Sequence, residues 1–332
     1  MTATIHQFYN WPYLGRITVQ NPQADPAYQS VIVLPWREGM NPAFSDLRFF
    51  NLRGEALPYW IEAKTDGSTA KIWIRGAVDR GVLVLFGNPS AESESSAEDT
   101  FIVGSDFEGS ALGSQWQSGG AGSVSVSGGH LILNGTAYAN TVASLSAPYK
   151  ATYKFKFISK PKATTNDGPQ IHMASNGIIG SANGYQFGFQ SISGYWLRFL
   201  KYFGGYAELD SDPITFTLNS YYTLDVTTLS SGTCLHGDLY DAAGTLISSV
   251  NSTDTTRTSG LLGVGMQSGE MQVDYIIVRQ YAAIEPTLAA EPGIGVNPYY
   301  VDAIGAFTAA GLALFSDDGV IRFAGVGDIQ VL

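Results

Sequence analysis

The chain has 332 residues, 45% hydrophobic, 12% aromatic and only 14% charged, with 38 glycines and a net charge of −11. With 18 Lys plus Arg against 29 Asp plus Glu, it lacks the cationic surface that binds duplex nucleic acid or an anionic membrane. A single cysteine, Cys234, excludes an intrachain disulfide and a Cys-built zinc site, and the 4 histidines (His6, His130, His172, His236) show no HxH or HxxxH spacing.

Low charge with abundant Gly, Thr and Tyr suits many short strands joined by tight turns. The opening MTATIHQFYNWPYLG has neither the basic nor the apolar region of a leader peptide. No stretch approaches the ~18–20 apolar residues of a membrane span, so we expect no membrane insertion. Residues 1–90 read as one β-sandwich module. RITVQ, SVIVLPW, LRFFNL, YWIEA, AKIWIRG and VLVLFGN are its predicted strands, with turns at Asn21-Pro22, Asn41-Pro42, Arg53-Gly54 and Asp66-Gly67. Residues 91–99, AESESSAED, are acidic, Ser-rich and free of aromatics, which predicts a solvated linker. Residues 100–282 hold closely spaced strand patterns, among them ATYKFKFIS, PQIHMAS, YQFGFQS, YWLRFLKYF and MQVDYIIVRQY; this spacing predicts an all-β jelly roll. Cys234 lies in an alternating run and is expected in the core. Residues 283–332 begin with Pro286, Pro292 and Pro298, which predicts an extended tether. The short β patterns that follow are too few for a core of their own, so this tail is expected to assemble on a neighbour.

The ordered set Trp11-Pro12-Tyr13, Arg16-Ile17-Thr18-Val19, Asn21, Asp46-Leu47-Arg48-Phe49, Leu57-Pro58-Tyr59-Trp60-Ile61-Glu62, Ile72-Trp73-Ile74 and Phe86-Gly87-Asn88-Pro89 resembles a domain-of-unknown-function family of bacterial, archaeal and phage surface proteins. The resemblance spans nearly all of the first segment, with Phe86 where the family has Tyr. It implies no catalytic role. In the second segment Asp106-Phe107-Glu108, Trp116, Gly129-His130-Leu131, Tyr222-Thr223-Leu224, Asp238-Leu239-Tyr240, Ser259-Gly260-Leu261-Leu262-Gly263 and Val273-Asp274-Tyr275-Ile276-Ile277-Val278 are similar to concanavalin A-like and laminin-G-like sandwiches. That likeness implies glycan binding or, in some members, glycan hydrolysis. The tail, with FTAAGLALFSDDGVIRFAGVGDIQ, resembles C-terminal β segments of phage tail and fibre proteins.

Three groups are candidate sites. Glu208-Leu209-Asp210-Ser211-Asp212 is similar to the E-x-D-x-E strand of retaining glycosidases on this fold. Asp212 stands where the terminal Glu would be, one methylene short, and Pro213 follows, so a solvated acidic turn is expected and no catalysis. Asp106, Glu108 and Asp274 are the candidate ligands of a structural calcium ion (Ca2+), as the sandwich resemblance implies; their oxygens suit a hard cation. Tyr195, Trp196, Tyr202 and Tyr206 offer aromatic planes on which sugar rings stack, and His172 and Gln186, with Gln170 and Gln190, supply polar contacts. Trp60 and Trp73 are expected in the core. Asn134-Gly-Thr136 and Asn251-Ser-Thr253 match the glycosylation pattern, by chance in a chain expected to carry no leader.

The expectation is an all-β, non-enzymatic virion structural protein: a spike, fibre or decoration protein of a phage or archaeal virus. It would assemble in the host cytoplasm, sit on the virion surface as a homo-oligomer with other virion proteins, and present a carbohydrate-binding jelly roll to a host-surface glycan. The alternatives are a polysaccharide-degrading glycosidase and a cell-surface adhesin.

Overall fold

Glycine-marked turns and alternating apolar residues fold as antiparallel strands in the computed structural model. It describes residues 11–77, 81–159, 170–175, 184–190, 195–203, 205–231, 235–296, 312–315 and 321–324, of which the side chains of 170, 172, 174, 175, 190, 292–296, 312–315 and 321–324 are outside the description. Cys234 and His6 fall outside the described residues. The chain divides into two units, Met1–Thr100 with Ala282–Leu332, and Phe101–Tyr281.

Unit 1 contains β1 (Tyr13–Gln20), β2 (Gln29–Pro35), β3 (Arg48–Asn51), β4 (Ala56–Leu57), β5 (Tyr59–Thr65), β6 (Thr69–Arg75), β7 (Gly81–Phe86) and the short helix α1 (Ala97–Thr100). Unit 2 follows with β8 (Val103–Ser105), β9 (Trp116–Gly120), β10 (Ser123–Val126), β11 (Leu131–Asn134), β12 (Ala137–Thr141), β13 (Leu145–Ser146), β14 (Tyr149–Phe157) and β15 (Gln170–Ser175). It continues with β16 (Tyr185–Gln190), β17 (Tyr195–Lys201), β18 (Ala207–Ile214), β19 (Tyr221–Thr228), β20 (Leu235–Tyr240), β21 (Leu246–Ser252), β22 (Ser259–Met266) and β23 (Glu270–Gln280). The chain then supplies β24 (Thr287–Val296) to unit 1, and β25 (Leu312–Phe315) pairs with β26 (Ile321–Ala324).

In unit 1 a five-stranded sheet, β24-β1-β7-β3-β4, and a three-stranded sheet, β2-β6-β5, enclose one core. β7, GVLVLF, is buried at every position because both of its faces are covered, which is why its pattern is apolar rather than alternating. Inner-facing Ile17, Phe49 and Val84 meet Ile32, Ile72 and Ile74 from the other sheet. The DLRF and LPYWIE motifs are structural joints. Buried Asp46 accepts the Asn41 and Gly87 amides at 3.0 and 2.6 Å, and its carbonyl accepts the Trp11 indole. Tyr59 donates to the Leu47 carbonyl; Glu62 accepts the Trp73 indole at 2.7 Å and pairs with Lys71. Trp60 and Trp73 are buried, as expected.

Residues 91–99 are not a free linker. The Ile61 amide donates to Ser95 Oγ, the Ser96 amide donates to the Tyr59 carbonyl, and buried Gln29 donates to the Thr100 carbonyl. A hydroxyl-rich segment satisfies sheet-edge donors as well as water does, and composition does not distinguish the two. The tether expected from 283 onward is likewise corrected over Thr287–Val296, which pairs antiparallel with β1 from Gln20↔Thr287 to Tyr13↔Val296. Leu288 is buried in the unit 1 core and Ala290 packs against it. Pro292 falls where the register shifts between Gly15 and Ile17, in an edge strand, where a missing N–H costs no ladder bond. Arg37 donates to the Glu291 carbonyl and Tyr28 to Glu285, pinning the strand further.

Unit 2 is a jelly-roll sandwich of two eight-stranded sheets. The first runs β10-β11-β23-β14-β19-β20-β21 with β8 paired to β23; the second runs β18-β17-β16-β15-β22-β12-β9 with β13 paired to β22. β14 alternates strictly, its Tyr149, Ala151, Tyr153, Phe155 and Phe157 inward and its lysines outward. Phe155, Phe157, Phe187, Phe189 and Phe199 fill the middle of the sandwich. Gly237 on the first sheet is the gap that Phe187 fills: a Cβ there would lie 2.4 Å from the ring. Asp241-Ala-Ala-Gly244 forms the turn between β20 and β21, Asp241 accepting the Ala243 and Thr245 amides and Gly244 taking φ 79°.

Candidate functional site

The outer face of the second sheet follows from register. Ala137, Ala139, Tyr185, Phe187, Leu197, Phe199, Leu262 and Val264 point into the core, so their neighbours along each strand point away from it. Cross-strand pairing then lays out two rows running across the strands. One is Gln117, Asn140, Gly263, His172, Gln186, Leu200, Glu208; the other is Gly119, Tyr138, Gly265, Gln170, Gly188, Arg198, Ser211. Trp196 belongs to a third, opposite Gln190 and Pro213.

Asn140 and Gln186 are 1% and 3% exposed, yet Asn140 Nδ2 and Gln186 Nε2 have no hydrogen-bond partner, and neither has Arg198 Nε. Buried amide donors are ordinarily satisfied, because leaving one unpaired costs about 1–3 kcal/mol. Glycines make room for these side chains. A Cβ on Gly263 would sit 2.0 Å from Asn140 Oδ1, one on Gly119 2.1 Å from the Tyr138 hydroxyl, and one on Gly188 3.1 Å from Gln186 Nε2. The face is therefore a floor of bare backbone with planar polar groups laid over it.

Of the residues singled out from sequence, Trp196 and Gln186 lie on this face. His172 sits in the same row by backbone register, and its side chain is outside the description. Tyr195 is turned the other way, packed on Phe216 with ring centroids 4.1 Å apart, because adjacent strand residues face opposite sides. Tyr202 and Tyr206 meet edge-to-face at 5.6 Å beyond the end of β17, with Tyr206 55% exposed. Burial and the neighbouring Tyr206 push the Tyr202 hydroxyl up to about 12, so it stays a hydrogen-bond donor at any physiological pH. Sequence reasoning missed Asn140, Tyr138 and Arg198. The alternation in AYANT signals two outward polar side chains, but their meeting with β16 and β17 depends on strand order.

The Glu208–Asp212 run is an edge strand, not the expected turn; Pro213 is tolerated there because β18 has one open edge. Glu208 pairs with Arg198 at 3.2 Å and accepts the Ser211 hydroxyl. Asp210 accepts the Asn251 amide at 2.8 Å, joining the two sheets at their margin. Both carboxylates are thus committed to structural partners.

The three candidate calcium ligands are not gathered. Among the described residues no three His, Cys, Asp or Glu side chains are grouped as a metal requires. Asp274 instead faces Lys154 at 2.8 Å and His130 at 3.8 Å on the first sheet, where Tyr221 and Lys156 complete a polar cluster. A cavity of about 110 Å³ in unit 1, lined by Trp11, Arg48, Phe50, Leu57, Tyr59 and Glu94, has Arg48 bound to Glu94, Glu92 and Leu47 oxygens.

One margin of the second sheet is fixed by Asp254, which takes the Lys201 ammonium at 2.6 Å, the Tyr185 hydroxyl at 2.5 Å and the Thr256 amide at 2.9 Å. Burial pushes the Asp254 carboxyl up, but these partners outweigh it and hold it well below the usual carboxylate range; burial and Asp254 together push the Tyr185 hydroxyl up. A carboxyl held down in the folded state stabilises above its unfolded value, about 4, and this contribution is lost as pH falls toward the folded one. Asp254→Asn is therefore expected to lower the melting temperature at pH 7. The difference from the parent chain should narrow as melts are repeated from pH 5 down to pH 2.

Residues 43–119 match the family described as "Domain of unknown function (DUF2341)". No curated protein matches the chain. Among solved structures the chain is similar to carbohydrate binding module CBM66 from Bacillus subtilis (12% identity, TM-score 0.37, covering 50% of this chain and 96% of that one). It is also similar to a Bacillus subtilis protein of unknown function with a galectin-like fold (13%, 0.43, 54% and 96%) and to the endo-beta-1,3-glucanase from Pyrococcus furiosus (10%, 0.39, 55% and 94%). Among the described residues, no helix is long and apolar enough to cross a membrane.

Proposed function

We propose that unit 2 is a carbohydrate-binding jelly roll that holds a glycan on the outer face of its second sheet and transforms nothing. The observation that carries this reading is the pair of buried, unpartnered amides, Asn140 and Gln186, set over glycines in one cross-strand row beside Trp196. Sugars are met by this combination: planar side chains that reach ring oxygens and hydroxyls, and an aromatic surface for the C–H face. A binding role in place of hydrolysis is supported by Glu208 and Asp210, whose carboxylates are tied to Arg198, Ser211 and Asn251. A glycosidase needs one carboxyl free to donate a proton and the other free to attack or to activate water.

Display in many copies multiplies the affinity of a single modest site. Attachment is the setting we propose: a homo-oligomeric spike, fibre or decoration protein on a virion surface, seated on other virion proteins and touching a host glycan. Mass spectrometry of purified particles tests that placement, and absence of the chain from every particle fraction would end it.

The binding claim is tested with the full chain on a broad polysaccharide array. At least one glycan is expected to bind, with Trp196→Ala weakening it about tenfold or more, some 1.4 kcal/mol, at an unchanged melting temperature. Silence across the array, or release of reducing ends from any glycan, would contradict the proposal.

A further inference from the structure

Register sorts the side chains of the β17–β18 hairpin. Leu197 and Phe199 point into the core, so Trp196, Arg198 and Leu200 point outward, with Pro213, Ser211 and Glu208 opposite them on β18. The Tyr202 amide donates to the Gly184 carbonyl, which carries the strand geometry one residue past β17. Phe203 packs on the core and meets Tyr185 edge-to-face at 5.1 Å, with Lys201 and Arg257 over its ring at 5.0 and 5.6 Å. This anchor turns Tyr202 outward, where it meets Tyr206. The outer side of the hairpin is therefore a strip with an aromatic surface at each end. Pro213, Glu208 and Tyr206 are exposed and Trp196, Arg198, Ser211 and Tyr202 half-buried, so every cross-strand pair on the strip carries accessible surface.

Resting on the carbohydrate-binding reading, we infer that this strip holds the backbone of a neutral, extended polysaccharide running parallel to β17. Trp196 and Tyr202 are six residues apart, or about 20 Å along a strand. That span is longer than a disaccharide and takes several consecutive rings, with one stacked at each end. A strand is nearly straight over this length, so its ligand must be extended as well. Chains linked β-1,4 through equatorial bonds are flat ribbons with C–H groups on their faces; α-1,4-linked chains coil away from a straight strip. Between the aromatic ends the strip is polar and mixed: the Arg198 guanidinium lies 3.2 Å from Glu208, which also accepts the Ser211 hydroxyl at 2.8 Å. Donors and acceptors together match neutral sugar hydroxyls, which do both. The exposed Glu208 carboxylate at the centre repels an anionic chain. The Gln186 row reaches the strip at Leu200 and Glu208, at right angles to it, so sugars over that row belong to a side branch.

The full chain is titrated with cellohexaose, mannohexaose, xylohexaose, their disaccharides and maltohexaose. One of the β-1,4-linked hexaoses is expected to bind about tenfold tighter than its own disaccharide and than the α-1,4-linked maltohexaose. Tyr206→Ala is expected to remove most of that gain. Tyr206 is 55% exposed, so its truncation leaves the sandwich core untouched, and an unchanged melting temperature checks this. Hexamannuronate, extended but anionic, is expected to bind more weakly than the preferred neutral hexaose, and Glu208→Gln to narrow the difference. A disaccharide that binds as tightly as its hexaose, or hexaose binding unmoved by Tyr206→Ala, overturns the hairpin site. Equal binding of maltohexaose overturns the extended backbone, and tighter binding of hexamannuronate overturns the neutral assignment. Each of these results leaves the carbohydrate reading standing. Failure to bind any glycan on the array removes both.

Discussion

Phe187→Ala is expected to destabilise unit 2 by about 3–5 kcal/mol, the usual cost of emptying an aromatic site in a packed core. Phe187 is fully buried, lies parallel to Phe199 at 4.6 Å between ring centroids, and fills the gap left by Gly237 on the opposite sheet. Truncation therefore opens a cavity in the centre of the sandwich, where two sheets must give way to close it. For a unit of this size the loss corresponds to a fall in melting temperature of roughly 10 °C. The converse change, Gly237→Val, places branched carbon against the same ring and is expected to destabilise by overpacking, about 1–3 kcal/mol. Scanning calorimetry on both variants checks the pair. A melting temperature within a degree of the parent for Phe187→Ala would show that the sheets are not held by this contact.

Asp46→Ala is expected to cost unit 1 about 2–4 kcal/mol, since it strands two backbone N–H groups that a buried carboxylate had satisfied. Those groups belong to Asn41 and Gly87, so one side chain ties the loop before β3 to the end of β7. Asp46→Asn keeps the size and one acceptor oxygen and is expected to recover part of the loss. The comparison separates the bonds from the packing. If both variants melt with the parent in the transition assigned to unit 1, the DLRF aspartate is not the joint described above.

The sequence shows the all-β class and most strands, because alternation and glycine-marked turns are local signals. RITVQ, SVIVLP and VLVLF fold as β1, β2 and β7, and the strict alternation of YKATYKFKF sorts its inward aromatics from its outward lysines. Pairing of distant segments is not local, and the sequence does not show it. The Pro-containing stretch around Leu288 has the composition of a tether. Only the open edge of β1, more than two hundred and fifty residues earlier in the chain, makes it a strand. The Ser-rich stretch 91–99 is similar in composition to a linker, yet its hydroxyls and amides serve β5. At the candidate site, Trp196 and Gln186 are legible as residue types that suit sugars. Asn140 and Arg198 are not, since they become neighbours of Gln186 only through the strand order β17-β16-β15-β22-β12. Strand alternation alone puts Tyr195 and Trp196 on opposite faces, and that is legible in the sequence; which of the two faces meets the core is not.

The position of a bound oligosaccharide tests the central claim most directly. A crystal structure of the full chain with the strongest glycan from the array is predicted to show sugar rings over the Asn140, Gly263 and Gln186 row of the second sheet, with Trp196 alongside. Sugar seated on the Lys154 and Tyr221 face of the first sheet, or in unit 1, would contradict it.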